Sequence, residues 1–142
     1  MLLSACLLGM PGAAQSPQQS GKTGITIQIN ALNSNAGTVY CDLYNEAKGF
    51  PNKPERALSS TKAQPQNNKA VCVFSNVKPG RYAVAVWQDI NSNGKLDTSW
   101  IGIPNEPVGS SNNAKGKLGP PKFKDATFDY AFSGVTQTII LD

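Results

Sequence analysis

The sequence predicts an all-β fold: a single β-sandwich of six to seven short, mostly antiparallel strands. Three observations predict it. Apolar and polar residues alternate with period two in several short runs, as β-strands with one buried face require. The stretches between these runs are rich in Asn, Ser, Thr and Gln, and the chain carries 13 Gly and 10 Pro, residues that make turns. No segment sustains the 3.6-residue periodicity of an amphipathic helix. At 142 residues the chain has the size of one ordinary domain.

The strands can be taken in order. Ile25, Ile27 and Ile29 alternate with Thr26, Gln28 and Asn30. A turn follows at residues 33–37. The second strand spans residues 38–44, with Val39, Cys41 and Leu43 on one face. Residues 45–54 read as a loop, and residues 56–62 as a short edge strand. A turn at residues 64–68 leads into a strand at residues 70–76. Lys78-Pro79-Gly80 turns the chain into a strand at residues 82–88, where Tyr82, Val84 and Val86 share a face. Residues 89–124 show no alternation and read as one long loop. Loops of this length inside a compact domain carry function or are disordered. Ala126, Phe128, Tyr130 and Phe132 alternate in the next strand. Ser133-Gly134 reads as a tight hairpin turn into a last strand at residues 135–141.

The amino end reads differently. Residues 1–14 are apolar and finish in small residues, as the core and cleavage region of a secretory signal peptide do. The positive segment that normally precedes such a core is missing, so the leader reads as truncated at its start. The preferred cut falls between Ala14 and Gln15. Leu3-Ser4-Ala5-Cys6 offers a second reading as a bacterial lipobox with Cys6 lipidated, disfavoured because almost no apolar segment precedes it. Residues 15–23 read as a flexible lead-in, and residues 24–142 as the sandwich. The apolar run is too short to cross about 30 Å of hydrocarbon. The expected location is therefore periplasmic or extracellular.

Composition excludes several functions. The chain has no His, which removes Ser-His and Cys-His nucleophile pairs, imidazole bases and His-ligated metals. The net charge of +4 comes with only two arginines, Arg56 and Arg81. The one basic cluster is Lys115, Lys117, Lys122 and Lys124. Nucleic-acid binding needs a denser basic face with aromatic or Arg readers, so these lysines read as a solvated loop.

Cys41 and Cys72 form an even pair in a chain headed for an oxidising space. Each shares parity with apolar neighbours, Val39 and Leu43 for the first, Ala70 and Phe74 for the second. A buried disulfide is expected, contributing roughly 4 kcal/mol on the chain-entropy model.

The long loop opens with Asp89-Ile90-Asn91-Ser92-Asn93-Gly94-Lys95-Leu96-Asp97. Oxygen-bearing side chains at alternate positions can converge on a cation if the backbone wraps around it. A glycine at the sixth position permits the sharp turn, and the next residue offers its carbonyl. Calcium is thus the candidate cofactor, with Asp89, Asn91, Asn93, the Lys95 carbonyl and Asp97 as ligands. The twelfth position of a helix-loop-helix site is a bidentate Glu; here it is Trp100, and Glu106 is the nearest acid able to substitute. Affinity on the order of 0.1–1 mM is expected from so few charges. A metal-free turn is the competing reading, since Asn, Asp and Gly also bond their own backbone.

At this loop the sequence resembles a bacterial exported family, domain of unknown function 2141. The residues that carry the resemblance are Val77-Lys78-Pro79-Gly80-Arg81-Tyr82-Ala83, the Asp89–Asp97 pattern, Gly102-Ile103-Pro104-Asn105-Glu106, Gly109, Ser111-Asn112-Asn113-Ala114, and Pro121-x-Phe123-x-Asp125-Ala126-x-Phe128. The resemblance covers about residues 24–142. It implies a small transthyretin-like or immunoglobulin-like sandwich and no known reaction. Two positions depart from the family: Gln88 stands where His is usual, and Ser110 where an aromatic residue is usual.

The remaining residues give weaker signals. Trp87 and Trp100 flank the loop and, exposed together, could stack on a sugar; more simply they roof the loop. Asp125 and Asp129 read as a solvated sheet face rather than a glycosidase pair. The expected function is a non-catalytic exported module with a binding or structural role at the cell envelope, its partner a protein or glycan. Carbohydrate recognition, and hydrolysis using the loop carboxylates Asp89, Asp97 or Glu106, are the alternatives.

Overall fold

The computed structural model describes residues 23–142. The leader at residues 1–14, Cys6, and nearly all of the lead-in lie outside the described residues. Among the described residues eight strands are present: β1 (Ile25–Asn30), β2 (Thr38–Tyr44), β3 (Ser59–Ala63), β4 (Ala70–Phe74), β5 (Gly80–Asp89), β6 (Val108–Ser110), β7 (Phe128–Tyr130) and β8 (Val135–Ile140). They form two sheets. The first has the order β4-β1-β8, and the second β3-β2-β5-β6, with β7 also on β5. The expected β-sandwich is therefore the observed fold.

The core lies between the sheets. Ile25, Ile27 and Ile29 face Val39, Cys41, Leu43, Val84 and Val86, with Phe74, Tyr82, Tyr130 and Ile139 completing it. The predicted parity holds in β4, whose pattern runs strictly buried–exposed. Cys41 on β2 and Cys72 on β4 are bonded across the sheets, with Cα atoms 6.5 Å apart and a separation of 31 in sequence. Both are buried, as their apolar neighbours predict.

Two expectations need correction. Ser133-Gly134 does turn the chain, with Gly134 at φ +85°, but it does not close a hairpin. β7 pairs with β5 in the second sheet, whereas β8 pairs with β1 in the first, in parallel register Ile25 to Val135. The turn is a crossover between sheets. Similarly, the stretch 89–124 is not one structureless loop. It contains β6, a 3-10 turn at Ser111–Asn113 and a short helix α1 (Phe123–Ala126). β6 is the strand beyond the predicted six or seven. Smaller differences fall at the edges: a 3-10 turn at Pro54–Arg56 precedes β3, and α1 takes the start of the predicted sixth strand.

β6 and β7 occupy the same edge of β5 in succession, β6 along residues 85–87 and β7 along residues 80–82. Val84 falls in the gap. Its N–H is met instead by the Ser111 hydroxyl at 2.9 Å, inside a fully buried site. Asn112 and Asn113 then stitch this edge to β8: the Asn112 N–H donates to Gln137, and the Ile140 N–H donates to the Asn113 amide oxygen at 3.0 Å. Both asparagines sit at positive φ, which Asn tolerates better than most residues.

The outer face of the second sheet is covered as well. Almost all of β5 is buried, so alternation does not mean exposure there. Phe50 packs edge-on against Tyr44 and against Phe123. Asp42, beneath this cover, is 2% exposed. Its Oδ1 accepts from the Ser60 hydroxyl at 2.6 Å, while Oδ2 has no partner. Burial pushes its carboxyl above the ordinary value, partly offset by Ser60 and the Trp87 indole. Among the described residues no helix is long and apolar enough to cross a membrane.

Candidate functional site

The Asp/Asn loop leaves the sandwich at the end of β5. Asp89 is still on the strand and 1% exposed, so its side chain is fixed by the sheet. It acts as a cap for the turn that follows: Oδ1 accepts the Asn93 N–H at 3.2 Å and Oδ2 the Gly94 N–H at 2.8 Å. The turn needs left-handed backbone at Ser92 (φ +57°) and Gly94 (φ +75°). An added Cβ at Gly94 would meet nothing; glycine is favoured there by conformation alone.

Asn91 and Asn93 fold inward. The Asn91 amide donates to Asp97 Oδ2 at 2.6 Å, and the Asn93 amide to both Asp97 oxygens at 2.8 and 2.9 Å. The Asn91 and Asn93 oxygens accept backbone N–H groups of Asn93 and Lys95. Asp89, Asn91, Asn93 and Asp97, picked out by their spacing, thus lie in one hydrogen-bonded cluster.

Glu106, the acid the sequence offers as a compensating ligand, braces the loop through its backbone. It is 7% exposed and bridges the two ends of the loop. Oε1 accepts the Ile90 N–H and Oε2 the Asp97 N–H, each at 3.2 Å. A carboxylate satisfying two backbone donors is a strong brace. It holds the loop closed from behind. The Asp97 carbonyl in turn accepts the Asn105 N–H at 2.8 Å, and Thr98 bridges to Pro104.

The donor set fits a hard cation only as a mixed one. Among the described residues no three Asp, Glu or Cys side chains gather closely enough to hold a metal by themselves. A cation here would depend on the Asn91 and Asn93 amide oxygens and on the Lys95 carbonyl beside the two carboxylates of Asp89 and Asp97. A carboxylate oxygen has two lone pairs, so each Asp89 oxygen, accepting one backbone N–H, and Asp97 Oδ1, accepting one amide, keep capacity for an ion, whereas Asp97 Oδ2 already accepts from both asparagine amides.

The two tryptophans are not presented together. Trp87 is buried and stacks on Tyr40, with centroids 4.4 Å apart and planes 12° apart. Trp100 is 96% exposed. Trp87 thus serves as packing, while Trp100 roofs nothing. Asp129 pairs with Arg81 at 3.2 Å on an exposed surface, as a solvated face predicts.

Sequence reasoning missed the roles of Gln88 and Ser110. Gln88 is 1% exposed, and its amide donates to the carbonyls of Ser34 and Ala36 at 2.8 and 3.0 Å. It ties the turn between β1 and β2 to the strand that launches the loop. Ser110 is buried and donates to the Ala114 carbonyl at 2.8 Å. Both positions depart from the family pattern. Gln88 shares parity with Tyr82, Val84 and Val86, the one signal that could have marked it as buried; no such signal marks Ser110.

Neither a curated protein nor a solved structure matches this chain. A family model described as an uncharacterised protein conserved in bacteria, DUF2141, matches residues 27–138. That span takes in both sheets, the disulfide and the whole Asp/Asn loop, and the chain belongs to the DUF2141 family.

Proposed function

We propose that this chain is a non-catalytic β-sandwich module of the cell envelope, exported to the periplasm or beyond, whose Asp89–Asp97 loop takes up calcium. The observation that supports it is the gathering of Asp89, Asn91, Asn93 and Asp97 on one turn, closed from behind by Glu106. Two carboxylates, two amides and a carbonyl are hard oxygen donors of the kind calcium prefers. Bound calcium would neutralise the two loop carboxylates and stiffen the platform from which residues 96–108 extend. The module's role is then binding or structural support, with the protein or glycan partner set by surfaces outside the loop. The burial of Trp87 argues against the alternative of carbohydrate stacking on a paired aromatic platform.

Calorimetry and thermal melting in calcium and in chelator test this. With affinity on the order of 0.1–1 mM, 5 mM calcium adds about 1–2 kcal/mol of stability. Absence of both heat and a melting shift at that concentration refutes the calcium reading. An Asp97→Asn variant that responds to calcium like the parent refutes it equally.

A further inference from the structure

A cleft of 680 Å³ opens on the outer face of the second sheet. Its base is formed by Ala85 and Trp87 of β5, with Val108 of β6 beside them. One wall is residues 101–104, which follow the Asp/Asn loop; the other is residues 113–121. The volume falls within the range of about 300–1,000 Å³ typical of small-molecule sites.

The lining is apolar to an unusual degree for a surface feature. Lys115 and Asp142 are the only charged residues on it, and they are paired with each other at the rim. Large apolar side chains stand in solvent around the opening. Leu118 is fully exposed, and Ile101 and Ile103 are each 58% exposed. Such residues gain nothing for the fold where they are; gathered on a concave surface they mark a binding site. The Pro120-Pro121 pair and the close packing of Gly116, whose added Cβ would meet the Gly119 carbonyl at 1.9 Å, set the second wall in shape.

Charge indicates the ligand's head. Lys117 and Lys122 adjoin the second wall and, among the described residues, have no acid within ion-pair distance. An apolar slot whose second wall is flanked in sequence by two lysines free of acid partners complements a molecule with a long apolar body and an anionic end.

We propose that this cleft binds a single-chain anionic amphiphile, a long-chain carboxylate, with its chain over Ala85 and Trp87 and its head at the lysines. This goes beyond the calcium reading and does not depend on it. The chain supplies the affinity, up to about fourfold for each methylene buried. The lysines supply the preference for a carboxylate, up to about fivefold each.

Trp87 makes the test direct. The chain has two tryptophans, and Trp100, almost wholly exposed, can be replaced by Phe without disturbing packing. The full chain carrying Trp100→Phe is titrated with 12-bromododecanoate below its micelle concentration, in calcium and again in chelator. Saturable quenching of Trp87 with one ligand per chain is expected in both. Leu118→Glu and Ile101→Glu should each weaken it at least about tenfold with the melting temperature unchanged. Lys117→Gln and Lys122→Gln should weaken the carboxylate and leave 12-bromododecanol unaffected. The proposal is overturned by unsaturable or absent quenching, by Leu118→Glu binding like the parent, or by equal binding of the alcohol. Binding to anionic phospholipid vesicles without binding to the monomeric acid overturns it too. Quenching that occurs only in calcium ties the cleft to the loop and overturns its independence.

Discussion

Glu106 holds Asp97 by its backbone, with Oε2 accepting the Asp97 N–H at 3.2 Å while Oε1 takes the Ile90 N–H. One buried side chain thus closes a loop whose two ends lie on either side of it. Glu106→Gln keeps the size but turns one acceptor into a donor facing an N–H. It should cost about 1–3 kcal/mol, the penalty of an unsatisfied buried donor. The calcium-induced melting shift should shrink in parallel. Thermal melting of both proteins with and without calcium checks this, and an unchanged melting temperature contradicts the bracing role.

Gly37 lies against the start of the same loop. It sits at φ +70°, and an added Cβ would stand 1.7 Å from the Asp89 carbonyl oxygen. Both strain and overlap oppose any side chain. Gly37→Ala should destabilise by at least about 2 kcal/mol. It should also weaken calcium binding, because Asp89 must move. Calorimetry on the variant distinguishes this from simple loss of stability: an unaltered binding heat would show that Asp89 stays in place.

The Cys41–Cys72 bond joins the two sheets across a 31-residue separation. Loop-closure entropy assigns it about 3–4 kcal/mol. A Cys41→Ala, Cys72→Ala double variant should melt roughly 10 °C lower. Treating the parent with a reductant should give a similar drop. A loss below about 1 kcal/mol in denaturant titration would show that the unfolded chain is not the state the bond constrains.

Asp42 carries the clearest pH signature. Its carboxyl is raised in the fold by burial, so the folded state holds a proton more tightly than the unfolded one. The sign follows directly: Asp42 favours folding most at pH below its unfolded value of 3.8. That contribution is lost as pH rises from there through the folded value. Asp42→Asn removes the ionisation and retains an acceptor for Ser60. The variant should therefore gain on the parent as pH increases from about 3 to 7, read as a widening gap in melting temperature. A gap that is constant with pH would contradict it.

Much of the fold was legible because its strands obey a simple rule. Ile25, Ile27 and Ile29, or Ala70, Cys72 and Phe74, announce a buried face through parity alone. β6 could not be read so. It is three residues long with Gly109 at its centre, where a Cβ would press on Leu141 and Ile139; the packing that selects glycine also erases the alternation. The final crossover was hidden for another reason. Ser133-Gly134 has the composition of a hairpin turn, and a turn's residues fix its bend without naming the strands it serves. At the loop, spacing identified Asp89, Asn91, Asn93 and Asp97, because their convergence is local. Glu106 was picked out as the nearest acid, but its role as a backbone brace was not readable from spacing. The cleft was illegible altogether: its walls come from Pro- and Gly-rich segments with no period, brought together by β6 and by Asn112-Asn113.

The parallel pairing of β1 with β8 has a consequence for how the molecule comes into being. Ile25 has Val135 as its partner, so β1, made early in synthesis, waits for β8, made more than a hundred residues later. Until residues 135–140 arrive, β1 has a neighbour on one side only and Ile139 is missing from the core. Pairings this distant in sequence form slowly. The sandwich is therefore expected to stay open until β8 has been made, and then to close as a unit.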